Sequence, residues 1–284
     1  MVEKYIVSSK KEALEVLSKH DCYILAGGSD LMVMKKNTAG QLPKFDKDVL
    51  YLSHVDELKG IYVDEQGCHI KAMTTLDEVE HSKLVPSLLR KAVSEVASTN
   101  IRHFATLVGN LANASPAGDT IVVDILLGAK VKLESTKGER IVDAEKFVLG
   151  VRKIDRKPEE LITEIIFPEI KYSGDMWYKV GSRKAESISK VMVAGFYEIS
   201  RKTIGNFALS FGSVSIKAIR SHEIENEIIG LTLEELKSRK NEFVEKYGKF
   251  VTPIDDQRST AEYRRKVAEN IVSVFLDRIT KGGK

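Results

Sequence analysis

The chain has 284 residues, 43% of them hydrophobic, enough to bury an extensive core and, by length, to form about two domains. Its 44 basic and 41 acidic residues leave a formal net charge of +3, so there is no electrostatic footprint for nucleic acid or an anionic membrane. The cysteines, Cys22 and Cys68, are far apart and read as buried thiols, which excludes a thiolate-ligated iron–sulfur cluster or a four-cysteine zinc site within the chain.

The stretch "MVEKYIVSSKKEALEVL" carries charges where a signal peptide would be apolar, and no apolar run of about 18 residues appears elsewhere. The expected location is cytoplasmic. Ser9 and Glu12 have capping-box spacing and open a helix with Ala13, Leu14 and Leu17 on one face, ending near His20. "CYILA" is a short strand stopping at Gly27-Gly28, and "SDLMVMKK" resumes as a helix with Ser29 or Asp30 as its cap. "VLYL" is a further strand, and "IYVDEQGCHIKAM" a hairpin turning at Glu65-Gln66-Gly67. Thr75 and Glu78 repeat the capping-box spacing, and "PSLLRKAVSEVA" is helical.

"DTIVVDILLGA" reads as a buried helix, "KVKLESTKGERIVDA" as a hairpin about Lys137-Gly138, and "ELITEIIFP" as a strand closed by Pro168. A polar linker, "EIKYSGDM", precedes a change of rhythm: "WYKVGS", "SKVMVAGFYEIS" and "NFALSFGSVSIKAI" look like consecutive antiparallel strands. Capping-box pairs Thr232/Glu235 and Ser259/Glu262 then introduce helices, the last with Val267, Ile271, Phe275 and Ile279 on one face.

Two glycine-bearing stretches stand out. Gly27-Gly28 falls between a strand and a helix, where residues without Cβ let the backbone turn sharply and offer its N–H groups to an anion. "IRHFATLVGNLANASPAGDT", residues 101–120, is nearly uncharged: Gly109, Ala112, Ala114, Ala117 and Gly118 keep bulk away while Thr106, Asn110, Asn113, Ser115 and Thr120 supply short polar groups. Ser115 with Pro116 suits an N-cap and first helical residue. Taken singly, either stretch can also be a close-packed turn whose polar side chains bond only to backbone. Neither matches the mononucleotide loop or the dinucleotide fingerprint. The histidines show no i, i+4 pairing, and no metal and no catalytic side chain are assigned.

"ILAGGSDL", "TLVGNLANASPAGDT", "YKVGSRKAESISK" and "PIDDQRSTAEYRR" resemble, in order and spacing, the FAD-binding medium subunit of molybdenum hydroxylases, the xanthine dehydrogenase and carbon monoxide dehydrogenase group. The resemblance implies an α/β (α+β) fold: a two-subdomain, PCMH-type FAD-binding α/β unit over residues 1–174 (subdomains about 1–55 and 56–174), then an antiparallel sheet with helices over 175–284. It implies a first loop formed by Ile24, Leu25, Ala26, Gly27, Gly28, Ser29, Asp30 and Leu31, and a second by Thr106, Leu107, Val108, Gly109 and Asn110, wrapping the pyrophosphate and ribityl chain of FAD. Asp119 is implied as a further polar contact, and Ile162 and Lys179 as later flavin-contacting positions; Ser115 joins them from its own helix-cap reading. Val108 departs from the family pattern, which has glycine there; a β-branched residue requires ordinary backbone geometry or a locally different loop.

The function so implied is electron transfer from a separate 2Fe–2S subunit, partnered by a molybdopterin-containing large subunit, through FAD to NAD+ or another acceptor. A self-contained FAD-dependent reductase or oxidase and a non-catalytic nucleotide-binding assembly protein are the alternatives.

Overall fold

The computed structural model describes residues 2–281. A three-stranded parallel sheet opens the chain, with Asp48–Tyr51 between Lys4–Ile6 and Cys22–Leu25. The helix Lys10–Leu17 connects the first two in sequence and buries Ala13 and Leu17. Ser9 caps it by accepting from Glu12 N, but the Glu12 carboxylate accepts from Ser8 N at 2.8 Å, so only half of the expected box forms. The expected helix after Gly28 is a single turn, Leu31–Met34, with Asp30 at its cap position and no buried side chain.

A five-stranded antiparallel sheet follows, in the order Ile61–Asp64, Gly67–Lys71, Leu161–Phe167, Lys130–Ser135, Gly138–Asp143. Both expected hairpins lie at its edges. Its central strand, Leu161–Phe167, is buried at every position, as a strand covered on both faces must be. Thr75 and Glu78 complete a full capping box on the helix Leu76–His81.

The helix Asp119–Leu126, buried along its whole length, joins the two halves of the molecule. It packs on the helix Ser87–Ser94 on one side and on strands Val191–Ser200 and Thr203–Gly212 on the other. Those strands belong to a four-stranded antiparallel sheet with Gly174–Val180 and Ile219–Arg220, so the strand begins inside the stretch expected as linker. Period-two alternation decides the packing: Met192, Ala194 and Phe196 join the core of the N-terminal α/β unit, while Val191, Val193 and Tyr197 join a second core with Phe243, Tyr247, Phe275 and Ile279 from the C-terminal helices. The last helix, Ala261–Thr280, is capped by Thr260, which accepts from Tyr263 N; Ser259, the expected cap, instead pairs with Asp256 one residue too early.

Candidate functional site

The two glycine-bearing stretches meet. Gly27 lies so close to the segment preceding Thr106 that an added Cβ would stand 1.7 Å from the Phe104 carbonyl oxygen, whereas Gly28 has φ +69° and turns the chain into the short helix. Between them opens a cleft of about 1160 Å³. Ile24 through Leu31 line it, with Thr106, Gly109, Asn110, Ser115 and Asp119 on the facing wall.

The second stretch is helical where a loop was expected. Thr106 accepts from Gly109 N at 3.0 Å and caps the helix Leu107–Asn113, which ends at Ala114 in the left-handed region, φ +46°. Val108 therefore has ordinary helical geometry and no need of glycine; its side chain and that of Leu107 point into the core rather than the cleft. Ser115 does not cap a helix. Its hydroxyl accepts from Ala117 N at 3.2 Å in a turn, and the helix begins only at Asp119 with Gly118 as N-cap, because the chain must first reverse after Ala114. Asn110 accepts from the Thr120 hydroxyl at 2.9 Å, tying the two helices together.

Lys179 does not line the cleft either. Its Nζ lies 2.7 Å from Asp119 Oδ2 and 2.7 Å from the Glu95 carbonyl, with only 5% of the side chain exposed. Burial pushes the Asp119 carboxyl up to about 6, an effect that neighbouring Lys179 opposes without cancelling, and Asp119 Oδ1 has no hydrogen-bond partner. Ile162 is buried in the central strand of the five-stranded sheet, behind the helix Leu107–Asn113.

The C-terminal unit closes one end of the cleft with residues not singled out from sequence, including Ser189, Ser213, Asp256 and Arg264. Buried Arg264 donates to Lys190 O at 2.7 Å, Ser213 O at 2.8 Å and Asp256 Oδ1 at 2.8 Å, pinning three lining segments. Partial burial works against ionisation of Asp256, yet N–H groups of Arg258 and Ser259 and the Arg264 guanidinium hold its carboxyl below the usual range. Two of the quoted motifs carried the signal: "YKVGSRKAESISK" and "PIDDQRSTAEYRR" both reach the cleft. Among the described residues, one group of side chains lies close enough to share a metal ion, Asp77, Glu80 and His81 on the surface, and Arg102 Nε already donates to Glu80 at 2.8 Å.

The residues present suit a ligand as large as a dinucleotide: the cleft slightly exceeds the usual size of small-molecule sites, its lining is rich in small side chains, and Asp119 Oδ1 is buried without a hydrogen-bond partner. The α/β unit with two facing glycine-bearing segments, backed by an antiparallel sheet, is the part of the chain that the family comparison assigns to a flavoprotein of the molybdopterin-dehydrogenase class. Residues 1–170 match the family described as the FAD binding domain in molybdopterin dehydrogenase, and residues 176–279 the CO dehydrogenase flavoprotein C-terminal domain. The chain belongs to this family of FAD-binding oxidoreductase subunits, and FAD is its cofactor. It is 29% identical to the glyceraldehyde dehydrogenase medium chain of Sulfolobus acidocaldarius, over 92% of each chain. It is 24% identical to the carbon monoxide dehydrogenase medium chain of Hydrogenophaga pseudoflava, covering 97% of this chain and 96% of that one. Reconstituted CO dehydrogenase from Oligotropha carboxidovorans contains a chain of the same fold, with TM-score 0.88, 25% identity, and 99% and 98% coverage. No helix of the described residues is long and apolar enough to cross a membrane.

Proposed function

We propose that this chain is the electron-transfer subunit of a multi-subunit molybdopterin-dependent dehydrogenase, receiving electrons from a separate 2Fe–2S subunit and delivering them to NAD+ or another acceptor, while a molybdopterin-containing large subunit oxidises substrate. The convergence of both glycine-bearing segments on one cleft carries this reading. Ile24–Leu31 and the Thr106–Asn110 turn would embrace the middle of FAD, with Ser115 and Asp119 contributing polar groups from the same wall. Leu107, Val108 and Ile162 act from behind, as the packed support of that wall, and Lys179 as the counter-charge of Asp119. We further assign residues 1–174 to FAD binding and 175–284 to closing the cleft.

FAD supplies the redox chemistry by accepting and releasing electrons. The cleft residues would hold and orient it, with Asp119 as a polar group on the wall. Cys22 and Cys68 are both buried and lie in different sheets, which supports placing the iron–sulfur clusters outside these residues. The medium-chain names of the relatives support the same division of labour.

Purified protein should carry FAD that is released by acid precipitation, and co-expression with the iron–sulfur and molybdopterin subunits should give one complex containing iron and molybdenum on size-exclusion chromatography. A chain that stays free of both partners while oxidising an organic substrate unaided would establish a self-contained flavoenzyme instead.

A further inference from the structure

The cationic side chains lining the cleft are Lys35, Arg152, Arg258 and Arg264. All but one have a carboxylate within ion-pair distance. Lys35 pairs with Asp46, Arg264 lies 2.8 Å from Asp256 Oδ1, and Arg258 stands 3.7 Å from Asp256 Oδ2. Arg152 makes no ion pair among the described residues; its guanidinium meets only the Met34 thioether and, at 3.5 Å, Asn113 Oδ1. Both are weak, neutral acceptors. The exposed acids of the lining, Asp30 and Glu186, are beyond ion-pair distance of it.

The backbone aims this side chain. Arg152 sits between strands Val148–Gly150 and Lys153–Ile154 at φ +54°, and its N–H donates at 3.0 Å to the carbonyl of Ala114, the left-handed residue that ends the helix Leu107–Asn113. Two strained residues are thus locked together, and the side chain leaves one wall of the cleft toward Met34 on the other. Being exposed, it can swing with little loss of packing.

We propose that Arg152 supplies the positive charge that neutralises the pyrophosphate of bound FAD from the mouth of the cleft, an inference that rests on the FAD reading of this site. A phosphate anion entering a partly desolvated cleft needs a counter-charge, and an unpaired guanidinium is the donor best matched to phosphate oxygens. Arg152 is the lining cation with no carboxylate within ion-pair distance, so its donors face no competing anion.

The test uses FAD-stripped full-length protein, titrated with FAD at several salt concentrations, for wild type, Arg152→Gln and Arg152→Lys. Arg152→Gln should weaken FAD binding by about tenfold to hundredfold, the range for one charged hydrogen bond, and flatten its salt dependence. Arg152→Lys should recover part of the affinity and the salt slope. The melting temperature of the FAD-free protein should be the same for all three, since the side chain is exposed. Affinity of Arg152→Gln within threefold of wild type, or Arg152→Lys no better than Gln, would overturn the assignment. Wild-type protein that takes up no FAD would sink the FAD reading itself, a distinct result.

Discussion

Lys179 Nζ and Asp119 Oδ2 lie 2.7 Å apart just behind the cleft that Asp119 lines, with 5% and 9% of their side chains exposed. The pair joins the strand Gly174–Val180 of the C-terminal sheet to the first turn of the helix Asp119–Leu126. Removing one partner strands the other in a poorly hydrated site. Lys179→Met should therefore destabilise FAD-free protein by about 3 kcal/mol, read by urea denaturation. A loss of FAD affinity with unchanged stability would show instead that Lys179 acts on the ligand directly.

The same pair predicts a pH dependence. In the unfolded chain the Asp119 carboxyl titrates near 3.8; in the folded protein burial raises it to about 6. The folded state therefore holds its proton more tightly, and the stability this provides is complete below about pH 3.8 and lost as pH rises through about 6. Asp119→Asn removes the titration. The stability of wild type relative to Asp119→Asn should fall by about 2 kcal/mol between pH 4.5 and 7.5, measured on FAD-free protein so that the ligand does not intervene. A difference independent of pH would mean that Asp119 is ionised throughout.

Gly27 and Gly28 should respond differently to alanine. At Gly27 a Cβ collides with the backbone at Phe104, and the two segments forming the cleft must part, at a cost of about 3 kcal/mol. At Gly28 the neighbours can yield, and the left-handed φ of +69° costs about 1 to 2 kcal/mol. Urea midpoints of the FAD-free variants should rank accordingly, with FAD affinity most reduced in Gly27→Ala. Equal midpoints would mean that the Phe104 contact yields freely.

Val108→Gly, which restores the residue usual in the family, should destabilise rather than improve the protein. Val108 is a buried first-turn helical residue, so the change removes buried methyl groups and adds backbone freedom, together about 2 to 4 kcal/mol. FAD affinity should stay within threefold of wild type by fluorescence titration. A large gain in affinity would show that Val108 obstructs the ligand.

What the sequence by itself determined was local. Capping hydroxyls at Thr75 and Thr232, period-two alternation in "SKVMVAGFYEIS", turns at Gly67 and Gly138, and the i, i+4 stripe Ile271, Phe275, Ile279 each depend on neighbours a few residues away, and these elements formed as expected. The small, uncharged character of residues 101–120 was equally plain, because a wall that another backbone approaches closely has no room for bulk. The ordered motifs pointed to the right family. Cap positions near competing hydroxyls were not legible: Ser259 and Thr260 differ only in which one the Asp256 turn captures first, and Ser115 was displaced by the reversal after Ala114.

Tertiary structure decided which of the named residues meet. Nothing within the sequence separates Lys179, committed to Asp119 and Glu95, from Arg152, left unpaired at the cleft mouth; both are cations in polar surroundings. Their difference arises from partners 60 and 84 residues away for the former and from a neutral contact 118 residues away for the latter. Arg264 likewise gains its role only when Lys190, Ser213 and Asp256 converge on it. Charge, burial and hydrogen bonding are properties of the assembled environment, and the chain must fold before a lysine becomes a buried counter-ion and an arginine remains a free one.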